Sequence, residues 1–243
     1  MSPPEPPLED ATDPPAHPDA QSSGSEHESK GVSGSDGPIS RRLNRPISSR
    51  ISAHVAGWPV SADQWSYISF ASVCTGALAF ATHAPRLGAL LVHAGSVLDG
   101  VDGEVARLKQ TSSAQGALLD LTLDRASDVA LVAGLAAGAG GRRLDWLLAL
   151  AAANGIVTAG VVKERIGHEG EDVARLQQQE ALDGGLDTLV RFTGRDGRLF
   201  AVTLAGLIKQ PRLALLWLAA TSNWRLIRRL RAARALLRRR DDD

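Results

Sequence analysis

Four carboxylates, Asp99, Asp102, Asp120 and Asp124, interrupt the otherwise apolar sequence between Gly95 and Asp128. Residues three or four apart share a helix face, so Asp99 pairs with Asp102 and Asp120 with Asp124. Two such pairs on adjacent helices make a cage of oxygens. Carboxylates packed this closely repel one another and take up protons unless a high positive charge sits among them. Hard divalent cations are the natural partner for such a donor set. Asp128 extends the second series by one more turn; it reads equally as a solvated residue at the mouth of the site or as a functional one.

Rival chemistries fail on spacing. An EF-hand loop beginning at Asp99 would need oxygen ligands where Val101 and Gly103 stand. A di-iron bundle needs Glu-x-x-His pairs, and the histidines His17, His27, His54, His83, His93 and His168 share no ligand-like spacing. There is no Walker loop and no Ser-His-Asp arrangement. Cys74, the single cysteine, has no CxxC partner and reads as a small core residue.

The elements that must hold the aspartates are apolar and helical. Hydrophobic residues make up 44% of the chain and aromatic residues only 4%, which disfavours a large soluble β core. The zero net charge averages a polar beginning with an Ala-, Leu-, Val- and Gly-rich body. Residues 1–38 are rich in Pro, Ser, Gly, Asp and Glu and are expected to be disordered. They also lack the basic start and apolar run of a secretory signal, so export is not expected. Residues 39–58 place Leu43, Ile47, Ile51 and Val55 at helical spacing among Arg41, Arg42, Arg45 and Arg50, the pattern of an amphipathic helix lying on a membrane surface.

After Pro59 the apolar blocks predict an all-α integral membrane bundle of six transmembrane helices. They fall near 64–82, 87–108, 114–136, 144–163, 199–207 with flanking residues, and 213–230. Frequent Gly and Ala in these blocks favour close helix packing. Arg86, Arg142, Arg143, Lys209 and Arg212 fall on one side, and the rest of the basic residues of the body fall on the other. By the positive-inside rule, both termini and the aspartates then face the cytoplasm. The basic run from Arg225 to Arg240 directly follows an apolar span and reads as a membrane anchor rather than a nucleic-acid patch.

The pattern Asp99-x-x-Asp102-Gly103-x-x-Ala106-Arg107, then eight residues, then Gly116-x-x-x-Asp120-x-x-x-Asp124 resembles the signature of the CDP-alcohol phosphotransferase (phosphatidyltransferase) family of integral membrane enzymes. All eight fixed positions are filled, which chance would produce on the order of once per billion start positions. The resemblance implies transfer of a phosphoalcohol unit from a CDP-linked donor to a second alcohol with release of CMP. It implies two bound divalent cations, Mg2+ or Mn2+, on Asp99, Asp102, Asp120 and Asp124, with Asp124 also the general base. Gly103, Ala106, Arg107 and Gly116 map onto the donor side: the small residues allow close backbone approach, and the arginine pairs with a phosphate or an aspartate. Plain helix packing also accounts for the small residues.

The segment Gly194 to Phe200, GRDGRLF, is similar to the inositol-using branch that makes di-myo-inositol phosphate phosphate. That similarity implies CDP-inositol as donor and inositol phosphate as acceptor. Lys163, Arg165, Arg195 and Arg198 are candidates for the acceptor's phosphate, although topology alone also explains cations on that side. Many family members carry Pro-Asn where this chain has Ala62-Asp63. The expected organisation is a tail (1–38), an interfacial helix (39–58), a six-helix catalytic domain (59–233) and a charged C-terminal tail (234–243). The enzyme is expected to be a membrane-bound homodimer that binds no nucleic acid. Two alternatives stand: a CDP-diacylglycerol-dependent phosphatidyltransferase of phospholipid synthesis, and a non-catalytic metal-binding membrane scaffold.

Overall fold

Proline and serine set most of the helix starts. In the computed structural model, which describes residues 40–167 and 194–242, a π-helical turn (Ser40–Asn44) leads into α1 (Arg45–Val55), with Pro46 in its first turn. Ser61 caps α2 (Ala62–Ala81) in a reciprocal capping box with Gln64. The departure at Ala62-Asp63 therefore leaves this helix start fully capped. Pro85 opens α3 (Pro85–Leu108), and Ser113 caps α4 (Ala114–Gly138) by accepting from the Gly116 N–H. There follow α5 (Arg143–Gly167), α6 (Arg195–Leu207) and α7 (Pro211–Asp242). Among the described residues there is no strand. The expected tail (1–38) and the side chains of Lys163 and Arg165 lie outside what is described.

The turns after α2, α3, α4 and α6 share one device. His83, Gln110 and Lys209 adopt positive φ at the ends of α2, α3 and α6, and Gly140 does so after α4. Behind each, an N–H reaches back to a carbonyl five residues earlier, as in Ala84 to Ala79 at 2.8 Å and Gln210 to Ala205 at 2.7 Å. This closes the orphan carbonyls and reverses the chain, so neighbouring helices run antiparallel.

Side chains from six helices build the main core. Val73 and Phe80 of α2 meet Val92 of α3, Leu131 and Leu135 of α4, Ile156 of α5, Val202 of α6, and Leu215 and Leu218 of α7. Small residues let the helices approach closely. A Cβ at Gly134 would overlap the Ala77 carbonyl, and one at Gly138 the Phe80 carbonyl, so α2 and α4 cross backbone to backbone. Serine hydroxyls then bond across helices: Ser69 donates to the Gly95 carbonyl at 2.9 Å and Ser72 to the Leu91 carbonyl at 2.8 Å.

The first helix packs differently from its apolar pattern. Its buried residues are Ser48, Ser52 and Val55, with Asn44 just before it, whereas Leu43 and Ile47 face outward. The reason lies on α3, where Gly100 sits so close that a Cβ there would meet Ser48 Oγ at 3.0 Å. Only small side chains fit that contact, so Ile47 turns outward while Ile51 and Val55 pack farther along.

Among the described residues one helical segment, Arg143–Val162, is long and apolar enough by length and composition to cross a membrane; its mean hydropathy is 1.6. Large apolar side chains also face outward elsewhere, among them Leu78, Leu90, Leu118, Leu204 and Leu213.

Candidate active site

Alternation of direction brings the C-terminal half of α3, the N-terminal half of α4 and the start of α6 to one end of the bundle. There Asp99 of α3 and Asp120 and Asp124 of α4 converge. One carboxylate oxygen from each lies within 4.8 Å of the others. All three side chains are partly buried, so their mutual repulsion is only weakly screened by water.

Positive charge is supplied by α6. Arg195 Nη1 lies 2.8 Å from Asp99 Oδ1, and Nη2 lies 2.7 Å from Asp124 Oδ1. The guanidinium thus bridges α3 and α4 across the cluster. A cationic side chain on two of the three carboxylates is a direct sign that the position selects positive charge. The all-oxygen donor set fits a hard divalent cation.

Asp102 stands apart from this cluster. It is 6% exposed, accepts from Ser66 Oγ at 2.6 Å through Oδ2, and accepts from the Gly103 N–H through Oδ1. The spacing rule correctly puts it one turn from Asp99, but it does not reveal that a serine on α2 holds it.

One turn deeper, Asp128 is 4% exposed, so the solvated reading of this residue gives way to a buried one. Its Oδ2 accepts from Arg198 Nη2 at 3.2 Å and lies 3.5 Å from Arg125 Nη1. Arg195 and Arg198 of α6 therefore face Asp124 and Asp128 of α4 in two successive rungs. The pattern at Asp120, Asp124 and Asp128 hinted at a continuing face, but the partner helix was not legible in it.

The remaining candidates flank the cluster. Gly116 sits in the first turn of α4, where a Cβ would come 3.3 Å from both Asp63 Oδ1 and Ser113 Oγ. At Gly103 a Cβ would meet only the Arg107 guanidinium, at 3.5 Å, so packing against other helices does not require glycine there. Ala106 is partly buried and Arg107 is exposed. Gly103 and Arg107 line a small cavity beside Asp99 together with Asn44, Ser48 and Ser96. These last three carry no motif signal, because serine and asparagine on a helix read as ordinary surface residues. The backbone at Lys163 and Arg165 belongs to the last turns of α5. That helix reaches the same end of the bundle, since Gly160 lies against Arg125.

Comparison with known proteins agrees with this geometry. Residues 60–174 match the family described as CDP-alcohol phosphatidyltransferase. The chain is 42% identical over 206 residues to the bifunctional IPC transferase and DIPP synthase of Rubrobacter xylanophilus, covering 83% of this chain but 43% of that protein. It is also 42% identical over 107 residues to the protein of the same name from Aquifex aeolicus, covering 44% of this chain and 24% of the relative. The chain thus spans less than half the length of these two relatives. It is 35% identical over 113 residues to the archaetidylinositol phosphate synthase of Methanothermobacter thermautotrophicus, covering 46% of this chain and 54% of that one. The crystal structure of Mycobacterium tuberculosis phosphatidylinositol phosphate synthase with CDP-DAG bound shares the fold. Its TM-score is 0.55 at 24% identity, covering 77% of this chain and 93% of that one. The three clustered aspartates lie inside the matched stretch, so over residues 60–174 the chain carries a CDP-alcohol phosphatidyltransferase domain.

Proposed function

We propose that the chain transfers a phosphoalcohol group from a CDP-alcohol to an acceptor hydroxyl with release of CMP, using CDP-inositol as donor and an inositol phosphate as acceptor. The observation that carries this reading is the convergence of Asp99, Asp120 and Asp124, their oxygens within 4.8 Å, inside a complete eight-position signature. Two divalent cations, Mg2+ or Mn2+, held by Asp99, Asp120 and Asp124 with Asp102 alongside, would neutralise the donor's pyrophosphate and the departing CMP.

The side chains then have distinct tasks. The acceptor oxygen forms a bond to the distal phosphorus of the donor, the bond from that phosphorus to the bridging oxygen breaks, and CMP leaves. Asp124 takes the proton of the attacking hydroxyl. Arg195, already seated between Asp99 and Asp124, is the cation best placed to meet a phosphate beside the reacting group. Arg198 is engaged by Asp128 and holds α6 in register. Gly103, Ala106, Arg107 and Gly116 border the donor, and Lys163 and Arg165 belong to the helix that ends on the same side.

The bundle is read as six spans, α2 to α7, with α1 at the interface. The site and both termini face the cytoplasm, and the chain pairs as a homodimer. Outward-facing Leu78, Leu90, Leu118, Leu204 and Leu213 support burial in lipid, as does the placement of the charged network at one end. A second reading, in which the donor is a CDP-linked lipid such as CDP-diacylglycerol and the product a phospholipid, is favoured by the likeness to the archaetidylinositol phosphate synthase, whose name is that of a lipid product. Purified protein in vesicles with Mg2+ tests both: CMP release from CDP-inositol with inositol phosphate supports the first, and release only from CDP-diacylglycerol supports the second. Release from no donor overturns both and leaves a metal-binding scaffold.

A further inference from the structure

We propose that the cavity between α1, α3 and the start of α6 is a binding site for a neutral, hydroxyl-rich alcohol group, a deepening that rests on the transferase reading above. The cavity holds about 120 Å3, room for several waters or one compact polyol. Asp99 forms part of its wall and also belongs to the three-carboxylate cluster, so a bound alcohol would lie directly beside the reacting centre.

The lining specifies the chemistry. Asn44, Ser48 and Ser96 contribute polar side chains, and every other lining residue is charged or a glycine. With no apolar side chain in the wall, an alkyl chain gains nothing there. The charged residues are Arg45 and Arg107 against Asp99 and Asp196, two of each sign, so the wall does not select an anion either.

Asn44 supplies the second, independent observation. It is 4% exposed, and its Oδ1 has no hydrogen-bond partner among the described residues. Its Nδ2 donates to Ser96 Oγ at 3.0 Å, which leaves the Ser96 proton to be given elsewhere. The Ser96 hydroxyl, held in place by the Asn44 amide and with a proton to give, is what the wall offers to the oxygen of an alcohol. Ser48 is fixed from behind by donating to Glu104 Oε1 at 2.9 Å, and the same carboxylate holds Arg45 at 2.9 Å. Gly103 keeps the wall open, since no packing contact with another helix requires glycine there.

The alcohol could belong to the donor or to the acceptor, and steady-state kinetics separate the two. Full-length protein with Mg2+, CDP-inositol and inositol phosphate is compared with Asn44→Leu and Ser96→Ala. Asn44→Leu is expected to raise one KM by about ten-fold or more while kcat changes less. A rise in the KM for CDP-inositol identifies the donor's alcohol, and a rise in that for inositol phosphate identifies the acceptor's. Both KM values within about two-fold of wild type in an active enzyme would overturn the proposal. Should Asn44→Leu fail to fold, Ser96→Ala carries the same comparison. If the wild type releases no CMP, the transferase reading falls, and melting with free myo-inositol still decides the cavity. A rise in Tm for wild type that is lost in Ser96→Ala supports it, and no rise in either refutes it.

Discussion

Arg195 Nη2 lies 2.7 Å from Asp124 Oδ1, across the gap between α6 and α4. The same guanidinium reaches Asp99 on α3, so one cation ties together three helices at the point where the carboxylates converge. Arg195 and a divalent cation therefore draw on the same oxygens.

That overlap makes metal affinity the sensitive measurement. Charge-assisted hydrogen bonds contribute roughly 1.5–3 kcal/mol, so Arg195→Gln is expected to tighten Mn2+ binding by roughly ten- to a hundred-fold while CMP release falls. Calorimetric titration of the purified protein checks this. Weaker Mn2+ binding in the variant would show that Arg195 does not compete for the cluster.

Asp124→Asn keeps the shape of the side chain and removes its capacity to take a proton. CMP release should fall by roughly 10²- to 10⁴-fold, with the helical circular dichroism signal unchanged. Chelation with EDTA should abolish release in the wild type and be reversed by Mg2+. Activity that survives both treatments would remove Asp124 and the cations from the reaction.

Asp128 and Arg198 form the rung below, at 4% and 7% exposure. Breaking a buried pair from one side leaves the other charge stranded, at a cost of roughly 3–5 kcal/mol. Asp128→Ala should therefore lower the Tm sharply, whereas Asp128→Leu combined with Arg198→Met should recover much of the loss. Thermal unfolding in detergent makes the comparison, and equal Tm values for Asp128→Ala and wild type would count against the pair.

Two glycines should respond in opposite ways. At Gly134 a Cβ overlaps the Ala77 carbonyl, so Gly134→Ala must separate α2 from α4, at roughly 1–3 kcal/mol of stability. At Gly103 a Cβ meets only the Arg107 guanidinium, at 3.5 Å, so Gly103→Ala should leave the Tm in place and reduce turnover. Measuring Tm and CMP release on both variants tests the contrast. A Tm loss at Gly103 would assign that glycine to packing.

Much of this protein was readable from local pattern, because local pattern acts through neighbours on one helix. Pro85 and Pro211 start α3 and α7 where proline is tolerated, and Ser61 and Ser113 cap α2 and α4. The i, i+3 and i, i+4 spacing of the aspartates put Asp120 and Asp124 on one face, and the eight-position pattern named the family before any coordinates. What the tertiary structure alone decided depends on groups far apart in the chain. Ser66 holds Asp102 from 36 residues away, and Arg198 reaches Asp128 from 70 residues away. The inward turn of Ser48 depends on the absence of a side chain at Gly100. Periodicity shows which side chains share a face. Which face meets which helix depends on close packing between segments that no local pattern encodes, and there the acidic cluster acquired its arginine and its polar cavity.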